Sequence, residues 1–250
     1  MADTHALAPE HGYYQRLLAR DQAEAADLID QYIKTESPES VYDAILLPAL
    51  NYAERDRLEQ RLSQEEELAV IEATRDLLVE TADSVRQSQV AQTPKPDKDP
   101  PLQPTLREPL KMLGYAANGV ADELALSMLG HLLSDWPLSL EIARTRMLAS
   151  ELVSLVRERG VSVVCLADLP PSPSSKTRYL VKRLRTAFPE LQIVVGRWAP
   201  AALADESTQA LRDSGANHVA STLAQTREYL GGLEEMRGYL EKDVAFVPGA

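Results

Sequence analysis

Apolar positions recur at helical spacing from residue 10 to residue 88, then give way after residue 107 to short apolar runs that alternate with further helical stretches. In the first region, residues 11–19 read as a short helix. Asp21 is placed to cap a second, in which Ala25, Leu28, Ile29, Tyr32 and Ile33 share a face. Ser37-Pro38-Glu39 is a start signal, a capping serine followed by proline at the first helical position. The helix that follows carries Val41, Ile45, Leu46, Ala49 and Leu50 on one side, and Pro48 should kink it or break a turn. Ser63-Gln64-Glu65-Glu66 reads as a capping box opening a fourth helix that buries Leu68, Ile71, Leu77, Leu78 and Val85. Four helices with short connections predict a small bundle over residues 1–88.

Residues 89–107 break the pattern. Pro94, Pro96, Pro100, Pro101 and Pro104 are interleaved with Lys95, Asp97, Lys98 and Asp99, the composition of an extended, solvated linker. From 108 to 250 the periodicity predicts five βα repeats. Strands are expected at 109–116, 138–143, 161–167, 191–196 and 217–219, and helices at 119–134, 147–159, 173–188, 203–214 and 221–241. The runs VSVVCLA and LQIVVG are apolar throughout, as strands buried on both faces must be. The expected fold class is α/β: a four-helix bundle followed by a five-stranded, doubly wound parallel sheet.

Composition narrows the function classes. Hydrophobic residues make up 44% of the 250, aromatics only 5%, so aliphatic side chains must build the core. No apolar run approaches the roughly 20 residues that cross a bilayer, and the first nine residues lack the basic and apolar regions of a signal peptide. The single Cys165 excludes a disulfide framework and suits a reducing compartment, so a cytoplasmic location is expected. The net charge of −12 is uneven: residues 1–107 hold 11 basic and 21 acidic side chains, residues 108–250 hold 15 and 17. Such an acidic front half repels phosphate backbones and anionic membranes, which argues against nucleic-acid partners.

In open α/β sheets ligands bind beyond the carboxyl ends of the strands, where strand order reverses. Three segments lie there: Ala116-Ala117-Asn118-Gly119, the hydroxyl-rich Asp168-Leu169-Pro170-Pro171-Ser172-Pro173-Ser174-Ser175, and Arg197-Trp198-Ala199-Pro200. The first has one glycine where a dinucleotide fingerprint wants three. The second opens a helix, whose free N–H groups attract anions. The third supplies a guanidinium and an indole. Either these loops hold a small anionic or planar ligand, with Asn118, Gly119, Asp122, Asp168, Ser172, Ser174, Ser175, Gly196, Arg197 and Trp198 as candidates, or the serines merely cap a helix and Arg197 pairs with an acid. Lys176, Arg178, Lys182, Arg183 and Arg185 make the third helix of this half basic. That is either a docking face for the acidic bundle or a partner, or an ordinary solvated face.

Catalytic chemistry is thinly represented. His5, His11, His131 and His218 show no metal-ligand spacing, no G-x-S-x-G elbow is present, and a mid-strand Cys165 should be buried and inert. Asp122-Glu123 lies in a first helical turn, where carboxylates usually complement the dipole. An enzyme on this scaffold would have to use Asp168, Lys176 and Arg197, with no nucleophile beside a base.

A bundle, a linker and a five-stranded α/β domain resemble the cobalamin-binding domains of methyltransferases and light-responsive regulators. That family places an aspartate-x-histidine-x-x-glycine motif after the first strand, and its histidine ligates cobalt. Here Gly119-Val120-Ala121-Asp122-Glu123-Leu124-Ala125 occupies the place, with Asp122 at the histidine position. The family's serine-x-leucine appears as Ala167-Asp168-Leu169 and its paired glycines as Gly196-Arg197. The bundle lacks the tryptophan that caps the cofactor in light-sensing members, since Trp136 and Trp198 both lie in the second half. The resemblance thus implies the fold, without cobalt ligation by histidine; a tetrapyrrole or a small anion remains as the expected ligand class.

A second resemblance spans nearly the whole chain. His11-Gly12-Tyr13-Tyr14-Gln15-Arg16-Leu17-Leu18-Ala19-Arg20-Asp21, Val41-Tyr42-Asp43, Leu47-Pro48-Ala49-Leu50 and Ala53-Glu54-Arg55-Asp56-Arg57 look like the soluble extension of some autoinducer-2 exporter family permeases. So do Ala121 to Ala125, Arg178 to Arg185 and Val194 to Trp198. This implies a non-enzymatic regulatory or ligand-sensing domain associated with a membrane transporter, its partner being that transporter, another protein or a second copy of itself. The alternative readings are a cobalamin- or tetrapyrrole-binding carrier or photosensor, and an enzyme.

Overall fold

The structure, a computed structural model, describes residues 8–92, 109–203 and 206–245. Four helices come first: α1 (Pro9–Leu18), α2 (Gln22–Thr35), α3 (Leu47–Leu58) and α4 (Gln64–Gln92). The Asp21 carboxylate accepts from Glu24 N at 3.0 Å, and Ser63 and Glu66 exchange both bonds of the capping box. The third start signal behaves differently from expectation. Pro38 opens only a 3-10 turn, Pro38–Ser40, and the Ser37 side chain caps nothing; its carbonyl accepts from Ser40 instead. The predicted disturbance at Pro48 is a π-helical segment, Tyr42–Leu46, just upstream, where Leu47 N donates to Tyr42 O. Proline lacks an N–H and crowds the carbonyl four residues back, and the wider turn absorbs the mismatch without breaking the helix. Residues 89–92, expected in the linker, continue α4; the rest of that stretch lies outside the described residues.

Five strands follow: β1 (Leu110–Ala116), β2 (Leu138–Ile142), β3 (Val163–Ala167), β4 (Gln192–Gly196) and β5 (His218–Ala220), all parallel in the order β2-β1-β3-β4-β5. The chain reverses direction across the sheet between β1 and β3. Helices α5 (Val120–Leu132) and α9 (Leu223–Ala245) cover one face, and α6 (Ala149–Arg159), α7 (Ser175–Ala187) and α8 (Ser207–Asp213) the other. Alternation along the strands divides the core. Leu113, Tyr115, Val164, Leu166, Ile193 and Val195 face α6 to α8, whereas Met112, Val163, Cys165 and Val194 join a cluster that runs without interruption into the helical bundle. Bundle and sheet therefore share one core. No helix among the described residues is long and apolar enough to cross a membrane.

Polar contacts fix the docking. Asn51, fully buried on α3, donates through Nδ2 to the carbonyls of Pro170 (2.7 Å) and Trp198 (3.1 Å), joining the bundle to the loops after β3 and β4. The Asp43 carboxylate accepts from Leu223 N (2.7 Å) and Ala224 N (3.0 Å), capping α9 from the bundle. Arg227 of α9 pairs with Glu39.

Candidate functional site

The carboxyl ends of four strands align in register on small residues, Ala116, Ala167, Gly196 and Ala220. Beyond Ala116, where the strand order reverses, Ala117, Asn118 and Gly119 lead into α5. Gly119 is its N-cap, with extended backbone, and nothing lies within 4 Å of where a Cβ would sit. Above this turn stand α3 and α4. Between them opens a cleft of about 450 Å³, walled by Asn118, Gly119, Asp122 and Ser172 on one side and by Glu54, Glu67, Leu68 and Ile71 on the other. Leu68, expected in the bundle core, is 37% exposed and faces this cleft. Its volume falls within the roughly 300–1,000 Å³ of small-molecule sites.

Asp122 is the hinge of the floor. It is 2% exposed, its Oδ2 accepts from Asn118 N (2.7 Å) and its Oδ1 from Leu169 N (2.9 Å), so one carboxyl ties the loop after β1 to the loop after β3. Burial pushes it up to about 7, against the pull of the two N–H groups; the Asp168 and Glu54 carboxylates add to the rise. Beneath it, Asn118 Nδ2 donates to Asp168 Oδ1 at 2.8 Å, and Asp168 pairs with Arg197 at 2.9 Å. Both charges are buried, and the Arg197 guanidinium also donates to the carbonyls of Asp168 and Ser172. Burial raises the Asp168 carboxyl; Arg197 opposes that most, with Thr177 and Asn118 helping. Ser172 Oγ donates to Glu54, whose carboxyl burial also raises.

The ten sequence candidates therefore separate by depth. Asn118, Gly119, Asp122 and Ser172 line the cleft. Asp168 and Arg197 do not line it and form a buried ion pair. Ser174 occupies the N-cap of α7 without a side-chain cap bond, and Ser175 is exposed outside the cleft. Trp198 is fully buried; its indole lies against Gly196, where a Cβ would stand 2.2 Å from Cε2, and Nε1 donates to Thr226 Oγ1 at 2.9 Å. The space above Gly196 is thus filled by the chain itself. Lys176 reaches the Ala117 carbonyl.

Residues that sequence reasoning missed come from the bundle and from the loop after β2: Glu54, Arg57, Gln64, Glu67, Ile71 and Arg146. A signal existed for the first, because Asn51 and Glu54 interrupt an apolar helical face, which buried polar residues do only with partners across an interface. Arg146, in left-handed backbone (φ 64°), gave none.

No protein-family model matches the chain, and no curated protein matches it in sequence. Among solved structures, the monomethylamine corrinoid protein of Methanosarcina barkeri superposes with a TM-score of 0.56 at 11% identity, covering 88% of this chain and 95% of that one. A cobalamin-binding protein from Desulfitobacterium hafniense DCB-2 aligns over 88% of this chain and 96% of that one at 10% identity, with a TM-score of 0.41. The likeness is one of fold: a helical bundle on a Rossmann-like sheet, the architecture of cobalamin-binding domains. It gives no support to the permease resemblance.

The described residues that line the cleft do not fit a cobalt ligated through an imidazole. None of the lining residues is a histidine. His131 packs edge-on to Tyr42 and His218 stacks on Tyr229, both outside the cleft, and Asp122 turns both oxygens inward to backbone donors.

Proposed function

We propose that this chain is a ligand-binding module on the corrinoid-carrier fold, regulatory rather than catalytic, whose ligand sits in the cleft between α4 and the loop after β1. The observation that carries this reading is the cleft itself: it lies at the reversal of strand order, and its floor is held rigid by the Asp122, Asn118, Asp168 and Arg197 network beneath. Preorganised polar floors with apolar walls, here Leu68 and Ile71, are what small-molecule sites share. Of the residues an enzyme on this scaffold would have to use, Asp168, Lys176 and Arg197, none lines the cleft. Association with a membrane transporter is the part of the proposal that rests on sequence resemblance alone.

The fold likeness favours a second reading, a corrinoid carrier whose cobalt takes no protein ligand. The two separate on the bench. The chain is mixed with hydroxocobalamin and passed through gel filtration; visible absorbance travelling with the protein supports the corrinoid reading. Colourless protein whose melting temperature rises with small anions, nucleotides or other tetrapyrroles supports the first, since a ligand that favours the native state must stabilise it. Protein that is colourless and unmoved by any of them sinks both.

A further inference from the structure

A second cavity, of about 590 Å³, opens where the start of α9 meets the 3-10 turn Pro38–Ser40 and the end of α5. It shares no lining residue with the cleft over Asp122, and it is large enough for a small organic molecule. Its walls are of two kinds. Leu132, Ala224 and the half-buried Trp136 make one side apolar. The charged residues in the lining are Glu39, Asp43, Arg227 and Glu228.

The carboxylates outnumber the guanidinium, and each is committed differently. Arg227 is drawn to Glu39 and lies over the Trp136 ring, 5.4 Å from its centroid, so that pair is neutral and closed on itself. Asp43 uses both oxygens to accept from the first N–H groups of α9, those of Leu223 and Ala224. Those donors carry only the partial charge of a helix end, which does not cancel a full carboxylate charge. Glu228, one turn further along α9, is exposed and has no ion-pair partner among the described residues. The imidazole its charge acts on, His218, is kept neutral at pH 7 by burial. Two uncancelled negative charges therefore remain in the lining of a partly apolar cavity, on a chain of net charge −12. Apolar walls strengthen such charges, and the field of the whole molecule draws cations towards them.

We infer that this cavity is a second ligand site and takes an amphipathic organic amine, its apolar body against Leu132, Trp136 and Ala224 and its ammonium group at Asp43 and Glu228. An anion of the same shape would meet those carboxylates with no cation left to receive it, because Arg227 is already paired. A bare metal ion would leave the apolar wall unused, and no metal-holding group of side chains is gathered among the described residues. A ligand seated here touches the bundle through Asp43 and the sheet half through Trp136 and Glu228, and so ties the two together.

Phenethylamine, phenylacetate and phenethyl alcohol share a ring and differ in charge, and titrating each into the isotope-labelled full chain tests the site. The chain has two tryptophans. Trp198 is fully buried with its N–H held by Thr226, so the indole N–H resonance of Trp136, assigned with Trp136→Phe, reports on this cavity. Phenethylamine should shift it saturably, with phenylacetate at least ~10-fold weaker and the alcohol between them. Glu228→Gln should weaken the amine about 3- to 5-fold, the worth of an exposed ion pair. Ala224→Trp fills the cavity from an exposed position and should abolish the shift, whereas Leu68→Trp, in the other cleft, should leave it unchanged. No saturable shift with the amine, an acid that binds as tightly, or an affinity indifferent to Glu228→Gln or Ala224→Trp would each overturn the inference. So would loss of amine binding in Leu68→Trp, which would put the amine in the cleft over Asp122.

Discussion

Asp122 shows how one residue's environment sets its chemistry. At the third position of α5 its carboxylate would be an ordinary complement to the helix dipole, but burial makes it a strut between two loops. A carboxyl raised from about 3.8 to about 7 takes up a proton on folding. Its contribution to stability is therefore greatest below the ordinary carboxylate range and is lost as pH rises towards 7. Asp122→Asn keeps one acceptor and turns an amide towards the other N–H, so it should cost roughly 1–3 kcal/mol. Denaturant titrations between about pH 5 and 7.5 should show wild type losing on the order of 1–3 kcal/mol relative to the variant as pH rises. Parallel curves would show that Asp122 does not titrate in that window.

At the scale of elements, the capping box of α4 and the Asp21 cap of α2 could be read in sequence because both are local. The same composition rules misjudged Ser37, whose side chain caps nothing, and could not assign Asp43, whose partners lie about 180 residues away at the start of α9. Asp43→Ala removes acceptors from two N–H groups and should cost ~1–2 kcal/mol, and Asn51→Ala, which strands the Pro170 and Trp198 carbonyls, roughly 1–3 kcal/mol. Hydrogen exchange should place the faster-opening amides of both variants at the start of α9 and in the loops after β3 and β4. Faster exchange confined to α3 would mean that these side chains serve the bundle alone.

For the whole molecule, the continuous cluster from α1 through α5 to β4 predicts that the two halves fold as one unit. A fragment of residues 109–250 would expose the apolar faces of α5 and α9, including Leu126 and Leu129, which full-length chain buries. It should bind a hydrophobic dye and unfold without a sharp transition, whereas the full chain melts as a single cooperative step. An excised fragment with a sharp melt and no dye binding would show that the sheet half is self-sufficient.

The sequence by itself determined the helices, the strand order of appearance and the parallel α/β class, because periodicity and caps are local properties of the chain. It also located the loops that approach the strand ends. Depth was decided only by tertiary structure. Arg197 and Trp198 look like ligand-facing groups in any list of loop residues, yet one is drawn down by Asp168 and the other fills the space over Gly196. Glu54, Glu67 and Leu68 reach the cleft only because the bundle docks over the switch point. A side chain's direction depends on what packs against it from distant parts of the chain, and spacing along the sequence carries no record of that.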